Sequence, residues 1–147
     1  MLKVTTSIRI ERPVDDVFAF VTNVDNVRLW DPKVIRAELT SEGTMKMGAV
    51  VRESRRVWWG TINATYTVIE YEPTAKFCLE GEAGGVRATS CLQLAGTGSA
   101  TEMTFVGEYQ GGPLFQLFRH VSRPFVQRNV TTTVRVIRQL LEEGGPT

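Results

Sequence analysis

The fold of this chain is decided by residues 13–32, PVDDVFAFVTNVDNVRLWDP. Pro13 suits the first turn of a helix because its missing N–H would have had no partner there, and the nearby aspartate pair favours the positive end of the helix dipole. Asn23 or Asp25 can cap a second short helical turn that ends near Leu29. Apolar residues at helical spacing predict the buried face of the first helix: Val14, Val17, Phe18 and Val21. The stretch therefore predicts two short helices in succession.

Strands flank this stretch on both sides. Residues Leu2–Glu11 alternate between apolar and polar side chains, which is typical of a strand with one buried face. After Pro32, glycine and proline residues divide the chain at regular intervals, as in a meander of antiparallel strands. The strands predicted after Pro32 cover residues 34–43, 48–58, 61–72, 75–83, 86–95 and 100–110.

Two hairpins allow the strand register to be predicted. A two-residue turn at Gly84-Gly85 requires particular residues to face each other across the first hairpin. These pairs are Phe77 and Leu92, Leu79 and Ser90, Ala83 and Val86, Glu82 and Arg87, and Cys78 and Cys91. A four-residue loop at residues 96–99 predicts the next hairpin's pairs as Leu92 and Met103, Ser90 and Phe105, and Arg87 and Glu108. Arg87 would then be exposed between two glutamates, where ion pairs contribute little to stability.

Cys78 and Cys91 could form a disulfide or remain two free thiols. The N-terminus enters a strand pattern at once and leaves no room for a signal peptide, which predicts a cytoplasmic location. Because thiols stay reduced there, we expect free thiols. Neither cysteine lies in a CxxC pair or beside a histidine, so neither a zinc site nor an activated thiolate is predicted.

The last segment, Gly112 to Glu143, carries apolar residues at steps of three or four and predicts one amphipathic helix. At about 1.5 Å per residue, such a helix would extend roughly 45 Å and cross the whole face of the sheet. Pro124 interrupts it, because proline removes one backbone hydrogen bond and clashes with the preceding turn. The alternatives are a kink, which we favour, or two helices with Ser122 capping the second. We expect residues 117–125 to control access to the interior.

Three stretches of this chain resemble the START-like (SRPBCC) superfamily, and in particular its polyketide cyclase/dehydrase branch. They are residues 13–32, the strand Tyr66–Pro73 that ends in Glu-Pro, and Gly112-Pro113-Leu114 at the start of the last helix. The resemblance covers essentially the whole chain. It implies an α+β helix-grip fold, in which a seven-stranded curved antiparallel sheet surrounds a long C-terminal helix and leaves an apolar cavity. Residues 1–147 are expected to form this one ligand-binding domain.

Composition excludes several classes of function. The chain has 147 residues and a formal net charge of +1, which gives no electrostatic basis for binding nucleic acid. No apolar run approaches the roughly 18 residues that would span a bilayer. The local basic cluster Arg52, Arg55 and Arg56 is divided between two strand faces and is interrupted by Glu53, so we expect an exposed edge there instead of an anion site.

A cavity is expected because several inward positions are small, among them Ala88, Ser90 and Gly107. Ligand pockets typically combine an apolar wall with a few polar groups. The expected ligand-binding residues are Tyr66, Phe77, Leu79, Ser90, Leu92, Met103, Phe105, Tyr109, Leu117, Phe118, Val121, Phe125 and Asn129.

Candidates for catalysis are few. His120 could act as a general acid or base because its ordinary pKa lies near neutrality. Tyr66 and Tyr109 are the other candidates, since the resemblance implies that a cyclase folds its poly-ketone chain by cavity shape while polar side chains polarise carbonyls or move protons. The sequence contains no hydrolase triad, phosphate-binding loop or metal-ligand spacing, so we expect neither a cofactor nor a metal.

We therefore expect a domain that binds a hydrophobic small molecule of the lipid, polyketide or isoprenoid type. A polyketide cyclase or dehydratase that uses the same cavity is the alternative. A protein-interaction module or homodimer is a further one, because at least one of the adjacent residues Trp58 and Trp59 must point outward from its strand.

Overall fold

The computed structural model describes residues 1–40, 43–57, 59–83 and 85–144, without the side chain of Arg119. A first strand is followed by two short helices, six strands and one long helix. The strands are β1 Leu2–Ile10, β2 Val34–Leu39, β3 Val50–Val57, β4 Gly60–Glu72, β5 Lys76–Ala83, β6 Val86–Thr97 and β7 Ala100–Gln110. The helices are α1 Val14–Val21, α2 Val27–Trp30 and α3 Pro113–Glu142, with a 3₁₀ turn at Val24–Asn26. The Asn23 side chain caps that turn by accepting a hydrogen bond from the Asp25 backbone N–H at 3.0 Å.

All seven strands form one antiparallel sheet in the order β1-β7-β6-β5-β4-β3-β2. Strand β1 closes against β7, so the first strand of the chain lies beside the last one. Helix α3 lies along β1, where Gln127 Nε2 donates to Thr6 Oγ1 at 2.6 Å. Just after β1, Arg12 donates to the Leu141 carbonyl near the end of α3 at 2.5 Å. The predicted α+β fold, a curved seven-stranded sheet around a long C-terminal helix, is confirmed.

The register predicted for the β5–β6 hairpin is confirmed, and the register predicted for the β6–β7 hairpin is wrong by two residues. In the second hairpin Thr97 pairs with Ala100, so only two residues form the turn. Gly98 makes this tight turn feasible because it adopts a positive φ of 73°. The true pairs are Leu94 and Met103, Leu92 and Phe105, Ser90 and Gly107, and Arg87 and Gln110. A shift of two keeps every side chain on its expected face.

Arg87 therefore does not face Glu108. Its guanidinium forms an ion pair with Glu80 on the neighbouring strand. The Arg87 side chain is 63% exposed, so this pair contributes little to stability.

The expectation of free thiols is also wrong for this structure. Cys78 and Cys91 face each other across β5 and β6, as the register predicts, and their sulfur atoms are bonded. The Cα atoms of this directly opposed pair lie only 4.1 Å apart. Cys78 is almost completely buried.

Helix α3 has two unlike halves. Its C-terminal half buries a regular apolar stripe against the sheet and α1, formed by Val130, Val134, Ile137 and Leu141. Its N-terminal half leaves large apolar side chains in solvent, among them Leu114, Leu117, Phe118, Val121 and Phe125. Pro124 lies inside one continuous helix, so the alternative of two separate helices is wrong.

No helix in the described ranges is both long and apolar enough to cross a bilayer. Trp59 is 63% exposed, and Trp58 lies outside the described residues. Contact of either tryptophan with a partner stays a prediction.

Candidate ligand cavity

A cavity of about 430 Å³ lies between the concave face of the sheet and α3. Strands β3 to β7 supply half of the residues in its wall, and α3 closes one side with Val126, Asn129 and Val130. The segment from α1 to the start of β2 closes another side, where Val21, Val27 and Trp30 line the cavity. The two short helices that open the chain therefore form part of the site.

Eight of the expected ligand-binding residues line this cavity, while the other five do not. The eight are Tyr66, Phe77, Leu79, Ser90, Leu92, Phe105, Tyr109 and Asn129. Met103 is completely buried in the core against neighbouring side chains. Leu117, Phe118, Val121 and Phe125 are exposed on α3, so their expected place in the wall is corrected.

Small residues in the sheet make room for the aromatic side chains of the wall. A Cβ atom on Gly81 would lie 2.5 Å from the Tyr66 ring, which is too close for any side chain. A Cβ atom on Gly107 would lie 2.8 Å from the Tyr109 hydroxyl. Glycine at these two positions therefore lets both tyrosines lie against the sheet and reach the cavity.

The polar part of the wall is a charged cluster centred on Arg55. Its guanidinium donates to Glu53 Oε1 at 2.7 Å and to Asp31 Oδ2 at 3.0 Å. The Tyr66 hydroxyl interacts electrostatically with the Glu53 carboxylate. Side-chain exposure is 8% for Glu53, 16% for Asp31 and 26% for Arg55, so these charges are held largely out of water. We call Asp31, Glu53, Arg55 and Tyr66 the polar cluster.

Burial shifts the proton affinities of this cluster. Desolvation raises the pKa of Glu53 above its ordinary value, although Arg55 opposes the shift. Burial and the nearby Glu53 carboxylate raise the pKa of Tyr66 to about 12, and burial also raises the pKa of Tyr109. Desolvation disfavours the charged form of Arg55, but Asp31 and Glu53 outweigh it and raise the pKa of the guanidinium. Both tyrosines are therefore hydroxyl donors at neutral pH.

The raised pKa of Glu53 predicts a pH dependence of stability. Because the folded protein holds this proton more tightly than the unfolded chain, the contribution of Glu53 is fully present below the unfolded-state pKa and is lost as pH rises through the folded-state pKa. The free energy of unfolding of the wild type should therefore fall relative to that of Glu53→Gln as pH increases. Denaturant unfolding from about pH 4 to about pH 8 measures this difference.

The matched control for that experiment is Glu38→Gln, because the Glu38 carboxylate is 46% exposed on β2. Its difference from the wild type should stay nearly constant over the same pH range. A wild type that gains stability over Glu53→Gln as pH rises would contradict the shift.

The sequence interpretation missed the polar cluster. Arg55 was expected at an exposed edge, yet it points inward with Val51 and Glu53, and the prediction is wrong for this residue. Strand alternation does indicate that Arg55 points inward, because residues 51, 53 and 55 share one face of the strand. The partner Asp31 lies 24 residues earlier in sequence, and no local pattern predicts that pairing.

The three candidates for catalysis are separated in the structure. Tyr66 and Tyr109 both line the cavity. His120 is exposed on the N-terminal half of α3 and is not among the residues that line the cavity. The structure therefore brings together the two tyrosines and the polar cluster, and leaves the histidine apart.

Comparison with known proteins identifies the family. The model of the family described as "Polyketide cyclase / dehydrase and lipid transport" matches residues 1–142. No curated protein sequence is similar enough to count as a relative.

Solved structures share the fold at low sequence identity. The Zhui aromatase/cyclase from Streptomyces sp. R1128 superposes with a TM-score of 0.80 at 16% identity, covering 98% of each chain. A START superfamily protein from Mycobacterium smegmatis gives a TM-score of 0.72 at 10% identity, covering 96% of this chain and 94% of that one. DynU16, a putative protein in the dynemicin biosynthetic locus, gives 0.72 at 21% identity, covering 98% of this chain and 48% of that one. With the family match over residues 1–142, this chain belongs to the polyketide cyclase/dehydrase and lipid transport family.

Proposed function

We propose that this protein binds a hydrophobic small molecule of the lipid, polyketide or isoprenoid type between its sheet and α3. The observation that carries the proposal is a cavity of about 430 Å³ whose wall is mostly apolar and whose charged side chains, apart from Lys33, belong to one cluster. An apolar wall would take the body of the ligand, and a few fixed polar groups would orient it. The family description, which includes lipid transport, supports the same class of ligand.

The charges around the cavity favour a neutral ligand. Two carboxylates, Asp31 and Glu53, already occupy the guanidinium of Arg55. Lys33 also lines the cavity, and its ammonium group lies over the Phe125 ring. Two anions and two cations therefore balance, and a ligand carboxylate would compete with carboxylates already in place. A ligand with hydroxyl or carbonyl oxygens would instead meet the hydroxyl donor of Tyr109.

Native mass spectrometry of protein purified from its own cells tests this proposal. We expect a retained molecule whose mass identifies it, and thermal stabilisation when lipids or aromatic polyketides are added. An empty protein with no thermal shift across a panel of fatty acids, isoprenoids and polyketides would overturn the proposal.

A polyketide cyclase or dehydratase activity in the same cavity is the second candidate. It is favoured by the electrostatic interaction between Tyr66 and Glu53, which brings a proton donor and a proton acceptor into the same cavity wall. Product formation from a poly-ketone substrate would be measured for Tyr66→Phe, Tyr109→Phe and Glu53→Gln, with His120→Ala as the comparison outside the cavity. Unchanged turnover in all the cavity variants would eliminate these residues as catalytic groups.

A further inference from the structure

The N-terminal half of α3 presents an apolar stripe to solvent. Its five members are between 49% and 76% exposed: Leu114, Leu117, Phe118, Val121 and Phe125. Their spacing of three, one, three and four residues places them on one face of the helix. Exposed apolar residues are common singly, but a continuous stripe of this kind marks an interaction surface. We call these five residues the exposed stripe.

None of the five residues of the exposed stripe lines the cavity. Successive helical residues are rotated by about 100°, so the exposed stripe lies nearly opposite the stripe that the C-terminal half buries at Val130, Val134, Ile137 and Leu141. If this half of the helix closed down on the sheet with its buried face inward, the exposed stripe would remain outside. An external binding partner would cover the exposed stripe, which closure of this kind would leave in solvent.

The charges near the exposed stripe are positive. Between Gly111 and Leu141 the sequence contains five arginines and no aspartate or glutamate. Arg128 continues the exposed stripe one turn further and is exposed, and no carboxylate in the described ranges forms an ion pair with it. Lys33 lies 4.9 Å from the centre of the Phe125 ring. Helix α2, which contacts α3, adds exposed Arg28 and Leu29.

We propose that the exposed stripe docks on an anionic lipid bilayer, with its apolar side chains in the interface and Arg128, Lys33 and Arg28 beside the headgroups. A convex helix face of aliphatic and aromatic residues with flanking cations fits the surface of a bilayer. Docking on a second copy is disfavoured, because in a two-fold contact through this stripe Arg128 would face the other copy's helix, which offers no aspartate or glutamate between Gly111 and Leu141 to pair with it. This inference does not depend on the proposed ligand. Because α3 also lines the cavity, docking through α3 would bring the cavity close to the membrane.

Vesicle co-sedimentation tests the docking. Wild-type protein is mixed with vesicles of phosphatidylcholine alone, or of phosphatidylcholine with phosphatidylglycerol, at low and at high salt. We expect binding to the anionic vesicles that weakens with salt. The triple variant Phe118→Ser, Val121→Ser, Phe125→Ser should bind these vesicles at least about tenfold more weakly. Arg128→Glu should weaken binding to anionic vesicles only.

Met47→Ser is the matched control, because Met47 is an equally exposed apolar residue in the loop before β3, and it should bind as the wild type does. Far-ultraviolet circular dichroism checks that the variants fold. Wild-type protein that fails to sediment with anionic vesicles at low salt would overturn the proposal. So would a wild-type dimer, seen by light scattering, that the triple variant converts to a monomer. Ligand retention by native mass spectrometry is a separate measurement, so failure of docking and failure of ligand binding are distinguishable.

Discussion

Replacement of Arg55 by methionine is expected to lower the free energy of unfolding by about 3 kcal/mol. Without the guanidinium, the Asp31 and Glu53 carboxylates repel each other in a site with little water. Loss of one partner from a buried ion pair costs about 3–5 kcal/mol. We take the lower end of that range because the Arg55 side chain is 26% exposed, so water screens part of its interaction with the carboxylates. Denaturant unfolding at neutral pH measures the loss.

Arg56→Met is the matched control, since Arg56 is the next residue on β3 and is exposed. Its effect should stay within about 0.5 kcal/mol. The triple variant Asp31→Asn, Glu53→Gln, Arg55→Met should recover part of the loss, because it removes the unpaired charges along with their partner. Equal losses for Arg55→Met and Arg56→Met would show that the polar cluster does not hold the charges as described.

Replacement of Ser90 by tryptophan is expected to abolish ligand binding. Ser90 lies in the middle of β6, opposite Leu79 and Gly107, and its side chain lines the cavity. An indole there would occupy a large part of the cavity of about 430 Å³. A ligand that fills the wild-type cavity would then no longer fit. Titration with an environment-sensitive apolar dye, followed by displacement with the identified ligand, measures the effect.

Thr89→Trp is the control for this experiment. Thr89 is adjacent on β6 and does not line the cavity, so an indole there points to the opposite face of the sheet. Binding should be retained in this variant, while both variants keep a cooperative unfolding transition. Retained binding in Ser90→Trp would place the ligand outside the cavity.

Much of the fold could be predicted because its signals are local. Alternation in β1, the register of the β5–β6 hairpin and the periodicity of α3 each depend on neighbours in sequence. The predicted register of the β6–β7 hairpin was wrong because residues 96–99 contain two glycines. Only the structure shows that Gly98 is the one at positive φ.

The candidate site was less predictable because its position depends on tertiary packing. Residues of the sheet wall, such as Phe77 and Phe105, follow from strand alternation and line the cavity as expected. Periodicity alone placed Phe118 and Phe125 in that wall as well, since an amphipathic pattern does not reveal which apolar face is buried. Asp31 and Arg55 meet only because α2 and β3 are brought together by the folded sheet.

The bond between Cys78 and Cys91 has a consequence for how the cavity can open. It ties together β5 and β6, the two strands that carry Phe77, Leu79, Ser90 and Leu92 into the wall. These strands cannot separate at their shared ladder while the crosslink is intact, so this side of the cavity acts as a fixed floor. Entry of a guest molecule must then rely on movement elsewhere in the wall, which includes the part of α3 that carries Val126, Asn129 and Val130.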